Sequence, residues 1–217
     1  QWRSFVTLWR TVFGVLLRRA MGKPLVHEWR LDFEIGTLFM RRQFNHAFSF
    51  PDINEGRAYF DSLVMTAKHW VEVDIVPSRV NEPKGDWFIP NGHNSALTML
   101  YLHGGGYTFY AEVTKRWIAL LAQKLQMPIF AADYRLTPEY THPAQLEDSL
   151  SAYRYLLEKG TKPSKLIVCG DSAGGHLLLM TLSKLAEHHL PQPALGIGIS
   201  PWTDIGRRGA SQFGHDV

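Results

Sequence analysis

The sequence predicts an α/β fold, in which helices cover both faces of a mostly parallel sheet. From about residue 69 onward, short apolar runs alternate with longer segments of helical periodicity, which is the pattern of strands linked by crossover helices. Two of the apolar runs lead directly into glycine-rich segments, at residues 103–107 and 170–175, which marks sharp turns at their ends. Residues 1–68 lack this alternation, and we expect them to form a separate helical arm.

The arm is predicted to begin with an amphipathic helix. Its apolar residues recur at three- and four-residue spacing, and its polar residues line the opposite side. The apolar set is Trp2, Phe5, Val6, Trp9, Val12, Phe13 and Leu16, and the polar set is Arg3, Thr7, Arg10, Gly14 and Arg18. Two more helices are predicted over residues 25–47 and 55–67. A membrane-spanning segment is disfavoured because Arg10 interrupts the apolar run and Arg18 closes it.

Residues 69–217 are predicted to form the sheet and its helices. We expect strands over 70–76, 86–90, 96–102, 128–133, 165–169 and 194–200, the first of them an antiparallel edge strand. Helices are predicted over 113–125, 143–158 and 173–190. The single cysteine, Cys169, cannot form an internal disulfide and is expected to be buried in the fifth strand.

A Gly-x-Ser-x-Gly pentapeptide between the fifth strand and the last helix makes Ser172 a candidate nucleophile. A serine hydroxyl must be held in the open at such a turn, where a base and a substrate can both reach it. Gly170 and Gly174 allow the turn to close. The first N–H groups of the helix, beginning with Ala173, then face the negative charge that develops during acyl transfer. Asp171 is expected to brace this turn or anchor a neighbouring loop.

The segment His103-Gly104-Gly105-Gly106-Tyr107 is the candidate for the other half of the site. Three successive glycines let main-chain N–H groups approach a substrate without a side chain in the way. A phosphate-binding loop is disfavoured because no Gly-Lys-Ser/Thr follows. His103 precedes Ser172 in the chain and is expected to brace the glycine loop through hydrogen bonds.

Four ordered motifs give a specific resemblance. They are HGGGY, Asp-Tyr-Arg-Leu-Thr-Pro-Glu at 133–139, GDSAGG, and Ser-Pro-Trp-Thr-Asp at 200–204. In this order the chain resembles the hormone-sensitive-lipase branch of the α/β-hydrolases over roughly residues 70–205. The resemblance implies a serine carboxylesterase for short to medium acyl esters, working without a cofactor or metal. It implies Ser172 as nucleophile and Gly105, Gly106 and Ala173 as the oxyanion hole, with Gly104 a further candidate.

The same resemblance implies that the helical arm, residues 1–68, is a cap over the acyl pocket. An open alternative is that residues 1–20 lie on an anionic membrane, because basic and aromatic residues on an amphipathic helix suit that role. The first fifty residues carry eight basic and three acidic side chains, although the net charge of the whole chain is only +3. Four aromatic residues, Tyr107, Phe109, Tyr110 and Trp202, are candidates to line the pocket.

The acid and the histidine of a catalytic triad are expected beyond residue 217. In an α/β-hydrolase the chain order is nucleophile, acid and histidine, with the last two after the seventh and eighth strands. Asp204 and His215 are the candidates within the chain, but Asp204 belongs to a motif that favours a structural role, and His215 lies on an unanchored end. We therefore expect strands seven and eight to be absent from this chain, and residues 1–217 alone to be nearly inactive.

Two other interpretations of function stay open on sequence alone. An amidase or arylformamidase would use the same site on a different carbonyl compound. A hydrolase-fold ligand receptor would keep the glycine loop and the turn but lack the histidine. We expect a small-molecule ester as partner and no nucleic acid. A homodimer is a further expectation, as is a cytoplasmic location with membrane association as the alternative.

Overall fold

The computed structural model describes residues 2–63 and 72–206. These residues divide into two units. One unit contains the described residues 2–63 together with 111–113, and the other contains 72–110 and 114–206. Each unit is described by itself below.

The helical unit consists of three helices, α1 (Trp2–Ala20), α2 (Leu31–Ala47) and α3 (Ile53–Asp61). The predicted amphipathic pattern of α1 is present, but the buried positions lie outside the predicted apolar set. Thr11 and Val15 are the buried residues of this helix, whereas the side chains of Trp2 and Phe13 are 77% and 69% exposed. The aromatic stripe of α1 therefore faces outward in the described structure.

The second helix begins six residues later than predicted because a buried carboxylate organises the turn before it. Glu34 is fully buried, and its Oε2 accepts a hydrogen bond from Arg19 Nε at 2.7 Å. Its Oε1 accepts from the backbone N–H of Leu25 at 3.1 Å. Burial alone would raise the pKa of Glu34, but these hydrogen bonds and the charges of Arg19 and Arg18 lower it. Residues 23–30 are thereby held as turns rather than helix.

The third helix starts two residues before the predicted 55 because Asp52 caps it. The Asp52 carboxylate accepts a hydrogen bond from the N–H of Asn54 at 2.9 Å, which satisfies one of the free donors of the first turn. The helix ends at Asp61. Residues 64–67 of the predicted helix lie outside the described residues.

The second unit is a six-stranded sheet with helices α4 (Glu112–Leu125), α5 (Ala144–Glu158) and α6 (Ser172–Glu187). The strands are β1 (Val73–Pro77), β2 (Gly85–Pro90), β3 (Thr98–Leu102), β4 (Ile129–Ala132), β5 (Leu166–Asp171) and β6 (Leu195–Ile199). Their order is β1-β2-β4-β3-β5-β6. Strands β3 to β6 are parallel, and β1 and β2 join antiparallel, which confirms the predicted mostly parallel sheet with an antiparallel edge.

The central strands separate two apolar clusters. Alternate residues of a strand point to opposite faces of the sheet. Met99 and Tyr101 of β3 therefore belong to one cluster, which includes Ile118 of α4. Leu100 and Leu102 belong to the other, which includes residues of α5 and α6. Both faces of the sheet are therefore covered, which holds β3 and β5 rigidly. The two glycine-rich segments begin at the carboxyl ends of these two strands.

Cys169 lies on β5, as predicted, and is buried; burial, together with the charge of Asp171, raises the pKa of its thiol to about 11. In the described segments 2–63 and 72–206, none of the helices combines the length and the apolar character that a bilayer span requires.

Candidate active site

Ser172 stands at the junction of β5 and α6. It is the first residue of the helix and directly follows the last residue of the strand. Its φ angle of +50° lies in the left-handed region, which a non-glycine residue adopts only at a strained, tightly determined turn. Ser172 is exposed, so a substrate can reach its hydroxyl.

The two glycines of the pentapeptide are required by close packing. A Cβ on Gly170 would overlap the carbonyl oxygen of Gly174. A Cβ on Gly174 would overlap the carbonyl oxygens of Leu102 and His103. The turn is therefore closed on itself and pressed against the end of β3, which brings the start of the glycine loop next to Ser172.

The glycine loop is a tight turn. Gly105 and Gly106 have φ angles of +110° and +62°, and Tyr107 follows with +63°. The carbonyl oxygen of Gly105 accepts hydrogen bonds from the N–H groups of Thr108 and Phe109, both at 3.0 Å. A Cβ on Gly105 would overlap the carbonyl oxygen of Phe109, so this position accepts only glycine. These two hydrogen bonds are made by the carbonyl group of Gly105, and they fix the conformation of this residue.

Asp171 connects the glycine loop to the turn that carries Ser172. Its Oδ1 accepts a hydrogen bond from the backbone N–H of Gly104 at 2.8 Å. The same oxygen accepts from the hydroxyl of Tyr101 at 2.8 Å, and the Tyr101 oxygen accepts from Trp117 Nε1 at 3.1 Å. The glycine loop is thus tied to the residue that precedes the nucleophile.

His103 lies in the interior below the glycine loop. Its Nδ1 is 2.7 Å from the carbonyl oxygen of Gly104. The imidazole is stacked between the rings of Tyr110 and Tyr134, with centroid distances of 4.0 and 4.1 Å. Burial lowers the pKa of His103 to about 4, so the ring is neutral at pH 7. A neutral, fully buried ring is suited to supporting the loop and cannot meet a substrate.

The four aromatic residues predicted to line a pocket have different surroundings. Trp202 is 39% exposed, and its backbone N–H donates to the carbonyl oxygen of Ser172 at 2.9 Å. Tyr107 is partly buried, and its hydroxyl is 2.7 Å from Nδ1 of His176. Tyr110 stacks on His103, and Phe109 is only 2% exposed. The Trp202 backbone therefore contacts Ser172 directly, and the Tyr107 side chain contacts the helix that Ser172 begins.

Three further aromatic residues support the site although their sequence pattern predicts no role for them: Tyr101, Trp117 and Tyr134. Tyr134 stacks on His103 and donates a short hydrogen bond from its hydroxyl to the His103 carbonyl oxygen. Tyr101 and Trp117 support Asp171. Their spacing along the chain gives no local signal, because Asp171 follows Tyr101 by 70 residues. A tyrosine buried near the end of a parallel strand was the available hint, since its hydroxyl needs a partner there.

Of the two candidates for a catalytic acid and base, only Asp204 lies within the described residues. Asp204 accepts a hydrogen bond from the N–H of Gly206 at 2.8 Å, and His215 lies outside the described residues. Within the described segments, the Ser172 hydroxyl has no hydrogen bond to a histidine. Nor do those segments contain a group of three side chains able to hold a metal ion.

Comparison with known proteins gives concordant matches. A family model described as "alpha/beta hydrolase fold" matches residues 99–216. An acetyl-hydrolase of Streptomyces hygroscopicus is 38% identical over 127 residues, and an ethyl acetate hydrolase of Pseudomonas putida is 38% identical over 122 residues. The crystal structure of an esterase from the bacterial hormone-sensitive lipase family superposes with a TM-score of 0.68 at 31% identity.

These matches cover different shares of the proteins compared. The two bacterial hydrolases match 58% and 52% of this chain, and the matched parts are 42% and 38% of their own lengths. The superposition with the esterase includes 78% of this chain and 58% of the esterase chain. The chain therefore spans about two fifths of the curated relatives and under three fifths of the solved structure.

Proposed function

The chain belongs to the α/β-hydrolase fold family, in its hormone-sensitive-lipase-like branch, and from that premise we propose that the whole protein is a serine carboxylesterase. The observation that carries the proposal is the exposed Ser172 at a strand-to-helix turn, tied through Asp171 to a loop of three glycines. A nucleophile and a set of main-chain donors held side by side are what acyl transfer needs.

In the proposed reaction, Ser172 Oγ attacks the carbonyl carbon of an ester while a histidine accepts its proton. The oxyanion that forms accepts hydrogen bonds from the N–H groups of Gly105, Gly106 and Ala173, and Gly104 is a further candidate donor. The alcohol leaves with the proton from the histidine, and water then attacks the acyl-enzyme. Asp171 and His103 act on the glycine loop and do not touch the substrate.

We propose that the histidine and the acid of the triad come from residues beyond 217. Two observations support this: the fold's chain order puts both after the nucleophile, and no histidine in the described segments bonds to the Ser172 hydroxyl. A protein of residues 1–217 alone should then turn over p-nitrophenyl acetate almost not at all, compared with the longer protein. Equal rates for the two would place the base within residues 1–217.

The proposed substrates are short to medium acyl esters, and two relatives support the short end of that range. These relatives are named for hydrolysis of acetyl groups and of ethyl acetate. A series of p-nitrophenyl esters from acetate to decanoate measures the preference. We expect kcat/KM to be highest at the short end and to fall toward decanoate.

The nucleophile is tested by Ser172→Ala in the longer protein. We expect the variant to lose at least 10³-fold in kcat, because removal of a triad serine leaves only binding and oxyanion stabilisation. Ser151→Ala is the matched control, since Ser151 is exposed on α5, and its rate should be that of the wild type. Equal rates for Ser172→Ala and the wild type would remove the assignment.

The same protein preparation separates the alternatives. An amidase or arylformamidase would cleave acyl anilides or formylated arylamines faster than the matching esters, again dependent on Ser172. A ligand receptor would leave every ester intact and bind a small hydrophobic acid tightly. The comparisons give no support to either alternative.

For the helical arm we propose peripheral contact with a membrane through residues 1–20. The support is the outward aromatic stripe of α1, since Trp and Phe side chains beside arginines favour a lipid–water interface. Trp9→Ser with Phe13→Ser should abolish flotation with anionic vesicles, whereas Val80→Ser, which changes a fully exposed apolar residue elsewhere, should not. If the double variant floats like the wild type, the membrane proposal is wrong. The cap role of residues 1–68, a homodimer and a cytoplasmic location stay predictions.

A further inference from the structure

The helical unit contains a cavity that the proposed esterase reaction does not use. It has a volume of about 340 Å³, near the lower end of the range for small-molecule sites. All three helices contribute to its lining. The residues that matter here are Arg3 and Arg10 of α1, Arg42, Gln43 and His46 of α2, and Tyr59 of α3.

The lining carries three guanidinium groups and no carboxylate. Two acidic side chains of α2 have other cationic partners: Glu34 pairs with Arg18 and Arg19, and Asp32 pairs with Arg30. In the described part of the chain, Arg3 and Arg10 have no ion pair. Arg42 donates from Nη1 to Thr11 Oγ1 at 2.7 Å, which fixes its direction without neutralising it. The cavity therefore has an uncompensated positive charge.

Gln43 adds a buried donor without an acceptor. Its side chain is 1% exposed, and its Oε1 accepts a short hydrogen bond from the Tyr59 hydroxyl. Its Nε2 has no hydrogen-bond partner among the described residues. Buried amide N–H groups almost always have an acceptor, so an orphan one in the lining of a cavity indicates that a ligand oxygen belongs there.

His46 is a lining residue on which the charge of Arg3 also acts. Burial lowers its pKa, and the charge of Arg3 lowers it further. An anion in the cavity would oppose the effect of Arg3. The charged side chains of the lining are thus all arginines, and Gln43 Nε2 adds a neutral donor.

We propose that this cavity binds a phosphate-type oxyanion. Guanidinium groups match the geometry of a phosphate and can each give it two hydrogen bonds. Arg3 and Arg10 approach from one helix and Arg42 from another, and the Gln43 amide supplies a neutral donor. The proposal concerns only the helical unit and does not depend on the esterase reaction.

Two sources of the phosphate are compatible with this chemistry. One is a soluble phosphate monoester. The other is the head group of a phospholipid, because on α1 the cavity residues Arg3 and Arg10 directly follow Trp2 and Trp9 of the outward aromatic stripe. Both sources present the same oxyanion to the same donors.

The site is tested by calorimetric titration of the full chain with inorganic phosphate and with glycerol 3-phosphate at constant ionic strength. We expect saturable binding that Arg10→Gln weakens about tenfold or more, the effect of losing one charge-assisted hydrogen bond. Arg3→Gln is a second variant on the same helix with the same expected direction. Gln43→Leu should also weaken binding although it changes no charge, which separates a built site from general attraction.

Arg30→Gln is the matched control, because it removes the same charge from an arginine whose side chain is 84% exposed and pairs with Asp32. Its affinity should equal that of the wild type. The proposal is overturned if the wild type shows no saturable binding up to tens of millimolar phosphate. A dissociation constant above that concentration is far weaker than the affinity of a specific site. It is also overturned if Arg30→Gln weakens binding as much as Arg10→Gln does.

Vesicle flotation distinguishes the two sources. If a lipid head group is the ligand, the wild type should float with vesicles of phosphatidylcholine and phosphatidate, and Arg10→Gln should not. Added inorganic phosphate should then release the wild type from these vesicles. Saturable binding of glycerol 3-phosphate without preference for phosphatidate assigns a soluble monoester instead. Either pattern supports the oxyanion site.

Discussion

The carboxylate of Asp171 accepts a hydrogen bond from the backbone N–H of Gly104 at 2.8 Å, across 67 residues of sequence. The residue before the candidate nucleophile therefore holds the first glycine of the loop that carries the candidate oxyanion donors. Because Tyr101 donates to the same oxygen, the carboxylate has two partners that would lose their acceptor together.

We predict that Asp171→Ala lowers kcat in the longer protein by about 10- to 100-fold. The glycine loop would lose its anchor, and misdirected oxyanion donors act mainly on the transition state, so KM should change less than kcat. Asp171→Asn keeps an oxygen in the same place and should remain close to the wild type. Steady-state kinetics with p-nitrophenyl butyrate measure both, and an unchanged kcat in Asp171→Ala would contradict a positioning role.

Much of the fold could be predicted because its signals are local. Each of the six strands lies within two or three residues of the predicted range in its described part, since apolar runs bounded by glycine and proline are short-range patterns. Strand β5 runs two residues further than predicted, to Asp171, and α6 begins at Ser172 itself. The strand thus passes into the helix without an intervening loop residue, which makes the turn sharper than predicted.

What could not be predicted depends on contacts between distant residues. Periodicity identified the apolar residues of α1 but not which positions are buried. Thr11, which accepts a hydrogen bond from Arg42 of α2, is buried, and Trp9 is exposed. The sequence showed an excess of basic residues in the arm, yet Arg3 and Arg42 are 39 positions apart and meet only through helix packing. Only the structure can group them around one cavity.

Replacement of Gly174 by alanine is predicted to destabilise the sheet unit by about 1–3 kcal/mol, the usual cost of overpacking. The added Cβ would overlap the carbonyl oxygens of Leu102 and His103, and a backbone atom cannot move aside as a side chain can. Gly36→Ala is the matched control, because Gly36 is exposed within α2 and a Cβ there meets no atom within 4 Å.

The control should be neutral or stabilise the helix by up to about 1 kcal/mol, since alanine has the higher helix propensity. Thermal unfolding followed by far-ultraviolet circular dichroism compares the two variants with the wild type. A melting temperature of Gly174→Ala equal to that of the wild type would show that the turn can relax.

The buried His103 predicts a dependence of stability on pH. Its pKa is about 4 in the folded protein and 6.5 without the fold, so the unfolded chain takes up the proton first as pH falls. The contribution of the neutral ring is fully present above about pH 6.5 and is lost progressively as pH falls to about 4, in total about 3 kcal/mol.

Urea unfolding between pH 4 and 8 measures this contribution. In His103→Gln the decline of the unfolding free energy over that window should be shallower than in the wild type, because one titrating group has been removed. His46 and His176 also have lowered pKa values and stay in both proteins, so the difference between the two curves isolates His103. Parallel curves would mean that the pKa of His103 is the same in the folded and unfolded states.

The chemistry of Cys169 has a practical outcome for labelling experiments. It is the one thiol of the chain, it is sealed in the sheet, and its raised pKa keeps it protonated and unreactive at neutral pH. A cysteine introduced at an exposed position such as Phe13 would then be the group that a maleimide probe modifies. Spin labels or fluorophores could therefore be attached to the first helix without a cysteine-free background.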